Sequence, residues 1–264
     1  MNHNDVSRSD GLGLFFILTF LLTLPAYALI ALTTRGVILS PEIGFAFVPV
    51  ATLAPVAAAA ILAYGRGGWS AVKALLLRVV DFRKITDKRW YLAIVLVPTI
   101  LMLLGLGLSK LTGQVLVPAA FPLLAAPLVF VALFGGAMCE ELGWMGHAYD
   151  RMQEKWSAFK SAVVLGLIIT IWHLPQYAFL IDDPALLAAQ LLFPLALRIW
   201  VIWLYNNTGK SIFAVTVLHT LFNVGYAVLS VNLVTTTALS LGVALTLPLL
   251  CGPDFKWPSI PASD

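Results

Sequence analysis

The sequence predicts an all-α fold, namely a polytopic integral membrane bundle of about eight transmembrane helices. Hydrophobic residues make up 60% of the chain and charged residues only 11%, whereas roughly a quarter of the residues of a soluble domain are charged. The apolar residues are gathered into runs of about twenty, the length that an α-helix needs to cross a bilayer. No polar stretch is long enough to fold alone, so the runs are expected to form one domain.

The predicted spans follow one another through a single domain, residues 12–250, between a polar N-terminal tail (residues 1–11) and a C-terminal tail (residues 251–264). The first run is interpreted as a retained helix rather than a signal peptide, because its apolar core is too long and more spans follow. The predicted spans are Leu12–Leu32, Ile43–Tyr64, Trp90–Leu111, Phe121–Gly146, Ala162–Ile181, Leu186–Tyr205, Ile212–Leu229 and Leu233–Leu250.

The basic residues predict the orientation of the bundle. Segment 65–89 contains a glycine-rich turn at Gly65–Trp69 and then Ser70–Val80, whose mixed basic and apolar pattern is typical of a helix lying on a membrane surface. Basic loops face the cytoplasm in membrane proteins. Segment 65–89 is therefore expected to be cytoplasmic, and an even number of spans then places both termini on that side.

Three of the apolar runs carry polar groups that are costly in a membrane. Glu140 and Glu141 end the run 121–138, His173 lies in the fifth run, and the seventh run carries His219 and Asn223. Ionisable residues within membrane spans are rare and usually functional, because each costs about 3 kcal/mol on insertion scales. From the predicted starts of their spans, the two histidines lie roughly 16 and 10 Å into the bilayer. We therefore expect these groups to converge in its cytoplasmic half.

The spacing of these residues favours hydrolytic chemistry but leaves a structural role open. Glu140 and Glu141 point roughly 100° apart on a helix, so only one can face a given point while the other pairs with a neighbouring helix or faces the interface. A carboxylate in a low-dielectric site is a plausible general base. His219 and Asn223 share one helix face and could orient a water molecule or bind an oxyanion. Alternatively, the carboxylates lie at headgroup level and the other groups form interhelical hydrogen bonds.

In these residues the chain resembles the type II CAAX prenyl endopeptidases and their bacterial relatives, the CPBP intramembrane proteases. The family pattern is Glu-Glu-x-x-x-Arg, then Phe-x-x-x-His, then His-x-x-x-Asn/Asp, each on a separate membrane helix. The corresponding segments here begin at Glu140, Ile169 and His219 and occur in the same order. Met145 stands where the family has arginine, and Ile169 where it has phenylalanine. Arg151 is a candidate to substitute for that arginine.

The resemblance implies a metal-free, membrane-embedded peptidase with catalytic residues Glu140, Glu141, His173, His219 and Asn223. Glu140 would activate a water molecule with help from His173, and Glu141 would orient Glu140 or pair with a neighbouring helix. His219 and Asn223 would stabilise the oxyanion. The implied substrate is a peptide or protein, prenylated or otherwise hydrophobic, that is cleaved near the cytoplasmic face. The implied location is the inner or plasma membrane of a bacterium, with membrane lipids as further partners.

Other functions remain open at this point. A zinc site is possible, since Glu and two His could supply three ligands, but the close His-Glu-x-x-His spacing is missing. A proton-coupled transporter could use the same buried groups, although no inverted repeat is evident. A catalytically inactive family member that binds peptides would be consistent with Met145. Arg198, inside the sixth run, needs a partner that the sequence does not identify.

Some functions are disfavoured by the composition. No basic run interleaved with aromatic residues suggests nucleic-acid binding. The two cysteines, Cys139 and Cys251, lie in or beside apolar runs, and therefore suggest neither a disulfide framework nor a cysteine metal site.

Overall fold

The computed structural model describes residues 3–38 and 41–256 and has the predicted all-α membrane architecture. Within those residues, seven helices are long and apolar enough to cross a membrane, and Ile212–Val228 is a further apolar helix of 17 residues. Together they account for the eight predicted spans and make the chain an integral membrane protein. The helices are, in chain order, α1 (His3–Thr34), α2 (Val48–Ala51), α3 (Leu53–Leu76), α4 (Arg89–Leu111), α5 (Ala126–Gly143), α6 (Asp150–Gln153), α7 (Ala158–Leu180), α8 (Pro184–Asn207), α9 (Ile212–Val228), α10 (Leu233–Ala244) and α11 (Leu247–Cys251).

Shorter helical turns complete the chain between the helices. A 3-10 segment, Pro41–Phe47, precedes α2, and further 3-10 turns occur at Leu77–Val80, Phe82–Lys84 and Leu123–Ala125. A π-helix, Trp144–Tyr149, joins α5 to α6 without a break.

The second span is bent at the predicted turn. Helix α3 passes through Gly67 and Gly68, whose backbone angles are not helical, and Gly68 has a φ of 61°. Glycine adopts a positive φ without the steric cost that a Cβ would bring. The chain therefore changes direction there, and the predicted surface segment Ser70–Val80 continues as helical turns beyond the bend.

Regular or packed structure extends beyond the predicted spans at both ends of the described chain. Helix α1 begins at His3 rather than at Leu12, since a helix once nucleated gains one backbone hydrogen bond for each residue added. The C-terminal segment is anchored as far as Lys256, because Phe255 is fully buried and packs edge-on against Phe159. Its remaining part, residues 257–264, lies outside the described residues.

Two glycines allow the helices that carry the polar groups to pack closely. A Cβ on Gly143 of α5 would lie 2.5–2.6 Å from the side chain and carbonyl group of Pro55 on α3. A Cβ on Gly166 of α7 would lie 3.1 Å from the Cα of Leu195 on α8. Helix α5 also packs against α9, and α8 against both α7 and α10. These crossings fix α5, α7, α8 and α9 around one common space.

Candidate active site

A cavity of about 480 Å³ lies between helices α5, α7, α8 and α9, with α2 and the start of α3 along one side. Four of the predicted residues line it: Glu140 from α5, His173 from α7, and His219 and Asn223 from α9. Groups separated by up to 83 positions in the sequence are thus brought to one space. A mainly apolar cavity with a few convergent polar groups is the usual form of a small binding site.

Glu141 points away from this cavity, as the angle between adjacent helical positions requires. It is fully buried and accepts two hydrogen bonds from Arg198 of α8, with Nη1 2.7 Å from Oε2 and Nη2 3.2 Å from Oε1. Its Oε1 also lies 2.8 Å from Nδ1 of His219. Glu141 therefore links α5 to α8 and α9, while the neighbouring Glu140 borders the cavity.

Arg198 finds in Glu141 the partner that the sequence did not identify. Its side chain is only 2% exposed, so a bidentate pairing with a carboxylate compensates the buried charge. Arg151, the candidate substitute for the family arginine, instead donates a hydrogen bond to the carbonyl of His147. Met145 is fully buried in the apolar core. The cation next to the glutamate pair thus comes from α8 rather than from α5.

His173 packs against aromatic neighbours and is hydrogen-bonded to the side chain of Gln176. Its ring stacks on that of Tyr177, with centroids 5.0 Å apart and planes 13° apart. Within the described part of the chain its Nδ1 is buried and makes no hydrogen bond. The preceding Trp172 donates from Nε1 to Thr23 of α1 at 2.8 Å, and its carbonyl accepts from Tyr27. Helix α1 thus fixes the turn of α7 that presents His173.

Sequence reasoning missed further polar residues of the cavity wall, among them Gln176 and Tyr177. Both follow His173 by three or four positions, which places them on the same helix face. That spacing was the available signal. A second cavity of about 440 Å³, lined mostly by apolar side chains, shares Tyr177, Phe193 and Asn223 with the first. The polar groups therefore adjoin an apolar space.

Helices α5 and α7 extend beyond the predicted ends of their spans, whereas α9 begins at the predicted residue, Ile212. The helical stretch of α5 continues past the predicted end, so Glu140 lies roughly 20 Å before its last residue, Gln153. Helix α7 begins at Ala158, because Ser157 caps its N-terminus. His173 consequently lies roughly 22 Å from the start of α7, rather than roughly 16 Å.

The zinc site that the sequence left open would need three protein ligands placed around one point. Among residues 3–38 and 41–256, no group of three or more His, Cys, Asp or Glu side chains could hold a metal ion. Of the two glutamates, Glu141 already accepts hydrogen bonds from Arg198 and His219, and Glu140 lines the cavity. Metal dependence stays an open prediction, to be tested by metal analysis of the purified protein.

Comparisons with known proteins find similarity in the part of the chain that forms this cavity. Residues 122–225 match the family described as "Type II CAAX prenyl endopeptidase Rce1-like". The "CAAX prenyl protease 2" of Methanococcus maripaludis is 29% identical over 114 residues, which are 40% of this chain and 42% of that protein. The match thus covers less than half the length of this curated relative. The matched segment contains Glu140, Glu141, His173, His219 and Asn223.

Proposed function

We propose that this chain, which is similar over residues 122–225 to the type II CAAX prenyl endopeptidase family, is an intramembrane endopeptidase. It would hydrolyse a peptide bond of a hydrophobic or lipidated protein or peptide. The observation that carries the proposal is the single cavity lined by Glu140, His173, His219 and Asn223. A base, a second proton carrier and hydrogen-bond donors facing one space are what hydrolysis of an amide requires.

In the proposed reaction Glu140 accepts a proton from a water molecule as its oxygen attacks the carbonyl carbon of the substrate. His173 holds that water on the opposite side of the cavity. The amide of Asn223 and the Nε2–H group of His219 donate hydrogen bonds to the oxyanion that forms. Each such donor stabilises the transition state by about 3 kcal/mol. Collapse of the tetrahedral intermediate breaks the C–N bond, and the proton held by Glu140 passes to the leaving amine.

The lining of the cavity favours a hydrophobic substrate. Apolar side chains form most of its wall, and it adjoins the second, mainly apolar cavity at Phe193 and Tyr177. The name of the archaeal relative makes prenylated peptides the first substrates to test. Membrane lipids would surround the bundle, because many large apolar side chains face outwards, among them Leu124, Leu128 and Val131.

The depth of Glu140 limits how a substrate reaches it. The basic segments 65–89 and 149–160 are proposed to face the cytoplasm of a bacterial cell, with both chain termini on that side. Entering from there, the scissile bond must pass roughly 10 Å along α9 to reach His219 and roughly 20 Å along α5 and α6 to reach Glu140. An extended chain covers about 3.3 Å per residue, so about three to six residues of the substrate must be unfolded. We expect peptides with flexible ends to be cleaved best.

The test compares membranes that carry wild-type protein, Glu140→Gln or Glu154→Gln. Each is incubated with prenylated and non-prenylated hydrophobic peptides, and new termini are identified by mass spectrometry. Loss of a positioned general base reduces rates by roughly 10²–10⁴-fold, so Glu140→Gln should abolish detectable cleavage. Glu154 is exposed and remote from the cavity, and its variant should match wild type. Equal cleavage by Glu140→Gln would refute the proposal.

A second candidate function, a catalytically inactive peptide-binding protein, is favoured by one observation. Met145 occupies the position of the family arginine and is buried among apolar side chains. The same experiment separates the two functions. A wild-type protein that retains a hydrophobic peptide without cleaving it would support the binding role and exclude the peptidase.

A further inference from the structure

Three buried side chains form a chain of contacts from α8 through α5 to α9. Arg198 is 2% exposed, Glu141 is fully buried, and His219 is 5% exposed. The guanidinium contacts both carboxylate oxygens, and Oε1 of that carboxylate is also 2.8 Å from Nδ1 of His219. Each link joins a different pair of helices, so the contacts depend on tertiary packing alone.

The direction of the last hydrogen bond follows from the first. Glu141 paired with an arginine fork is an ionised carboxylate, which can only accept hydrogen bonds. Nδ1 of His219 must therefore carry a proton and donate a hydrogen bond to Oε1. This assignment leaves the other ring nitrogen, Nε2, for the cavity that His219 lines. The two-pronged contact with Arg198 also fixes the plane of the carboxylate, and hence the plane of the imidazole.

We propose that Arg198 is a positioning residue for His219, acting through Glu141, in the reaction proposed above. The expected effect on the reaction rate rests on the proposed function. The effect of Arg198 on the protonation of Nδ1 of His219 can be measured without a substrate. Arg198 would keep the proton on Nδ1 and aim Nε2 at the reacting carbonyl. Met145 stands where the related family has an arginine, and in this chain Arg198 of α8 supplies a cation beside Glu141 instead.

The first experiment replaces the fork by a single ammonium group, Arg198→Lys, with Arg89→Lys as the matched control. Arg89 is an exposed residue paired with Asp87 at the surface. Loss of a residue that orients a catalytic histidine reduces activity by roughly 10–100-fold in comparable metal sites. We expect Arg198→Lys to lower kcat by that factor and to change KM less than about twofold, at equal amounts of folded protein. Arg89→Lys should match wild type.

The second readout is the ¹⁵N spectrum of histidine-labelled protein in lipid nanodiscs, with the His219 signals assigned by their loss in His219→Gln. Wild type should show a protonated, hydrogen-bonded Nδ1, whether or not Nε2 is protonated too. Arg198→Met removes the cation, so Glu141 can take up a proton, and part of the population should shift to the form without a proton on Nδ1. If this variant does not fold, the double variant Glu141→Gln/Arg198→Met removes both buried charges and should show the same change.

The two readouts distinguish the possible failures. An unchanged kcat or an unchanged Nδ1 signal in a folded variant would overturn the positioning role. A wild-type protein that cleaves no peptide would remove the proposed function, and the Nδ1 signal would then decide alone whether Arg198 controls His219. A fall in kcat together with loss of the Nδ1 proton supports the proposal.

Discussion

Replacing Gly143 by alanine tests whether the close crossing of α5 and α3 holds the candidate site in place. The added Cβ would lie 2.5 Å from the Cβ of Pro55 and 2.6 Å from its carbonyl carbon and oxygen. Carbon atoms in contact are normally about 3.5–4.0 Å apart. Because two of the three obstructing atoms belong to the backbone, no side-chain rotation relieves the overlap. The two helices must separate by about 1 Å.

This separation has a cost in stability and a larger one in activity. Overpacking a well-packed core costs about 1–3 kcal/mol. Glu140 and Glu141 lie within one turn of Gly143, so they move with the displaced helix. A misplacement of about 1 Å in a catalytic group lowers the rate by about 10²-fold. We expect Gly143→Ala to retain part of its stability but little activity.

Reversible unfolding in mixed micelles and the peptide-cleavage assay measure the two effects. The matched control is Gly135→Ala in the same helix, where the added Cβ would meet no atom within 4 Å. Its free energy of unfolding should equal that of wild type or rise by about 0.5–1 kcal/mol, since alanine is the better helix former. If Gly143→Ala unfolds like the control and cleaves like wild type, the reasoning from close packing is wrong.

Two further predictions concern stability and use the same unfolding assay. Glu141→Gln and Arg198→Met should each destabilise the protein by about 3–5 kcal/mol, because each removes one partner of a buried ion pair. The double variant should be close to wild type, and additive losses in this cycle would contradict a direct ion pair. Phe255→Ala should cost about 3–5 kcal/mol because Phe255 is fully buried, while Leu249→Ala, whose parent side chain is 85% exposed, should cost much less. Equal losses in these two variants would show that the C-terminal segment is not anchored as described.

The number and approximate positions of the membrane helices could be predicted because apolar run length is a local property of the sequence. It could also be predicted that His219 and Asn223 face the same side, since residues four apart lie on one helix face. Both properties need no knowledge of how helices pack. The ends of the helices were less predictable, because polar residues continue α1 and Ser157 starts α7 before its apolar run.

The partner of Arg198 could not be predicted, since the contact joins positions 57 residues apart on different helices. Helix rotation and register decide such a pairing, and both depend on close crossings such as the one between Gly166 and Leu195. The packing of the C-terminal segment could not be predicted for a related reason. A single phenylalanine among prolines gives no periodic signal, although its burial against Phe159 holds the segment.

The division of work between Glu140 and Glu141 follows from helix geometry and accounts for the arrangement of the whole site. Adjacent helical positions point roughly 100° apart, so one carboxylate can border the cavity only if the other faces a neighbouring helix. Glu141 takes that second position, where Arg198 and His219 satisfy it. An apolar residue at position 141 would leave Arg198 unpaired and His219 without its acceptor. The second glutamate therefore organises α8 and α9 around the first, and Glu140 remains available for chemistry in the cavity.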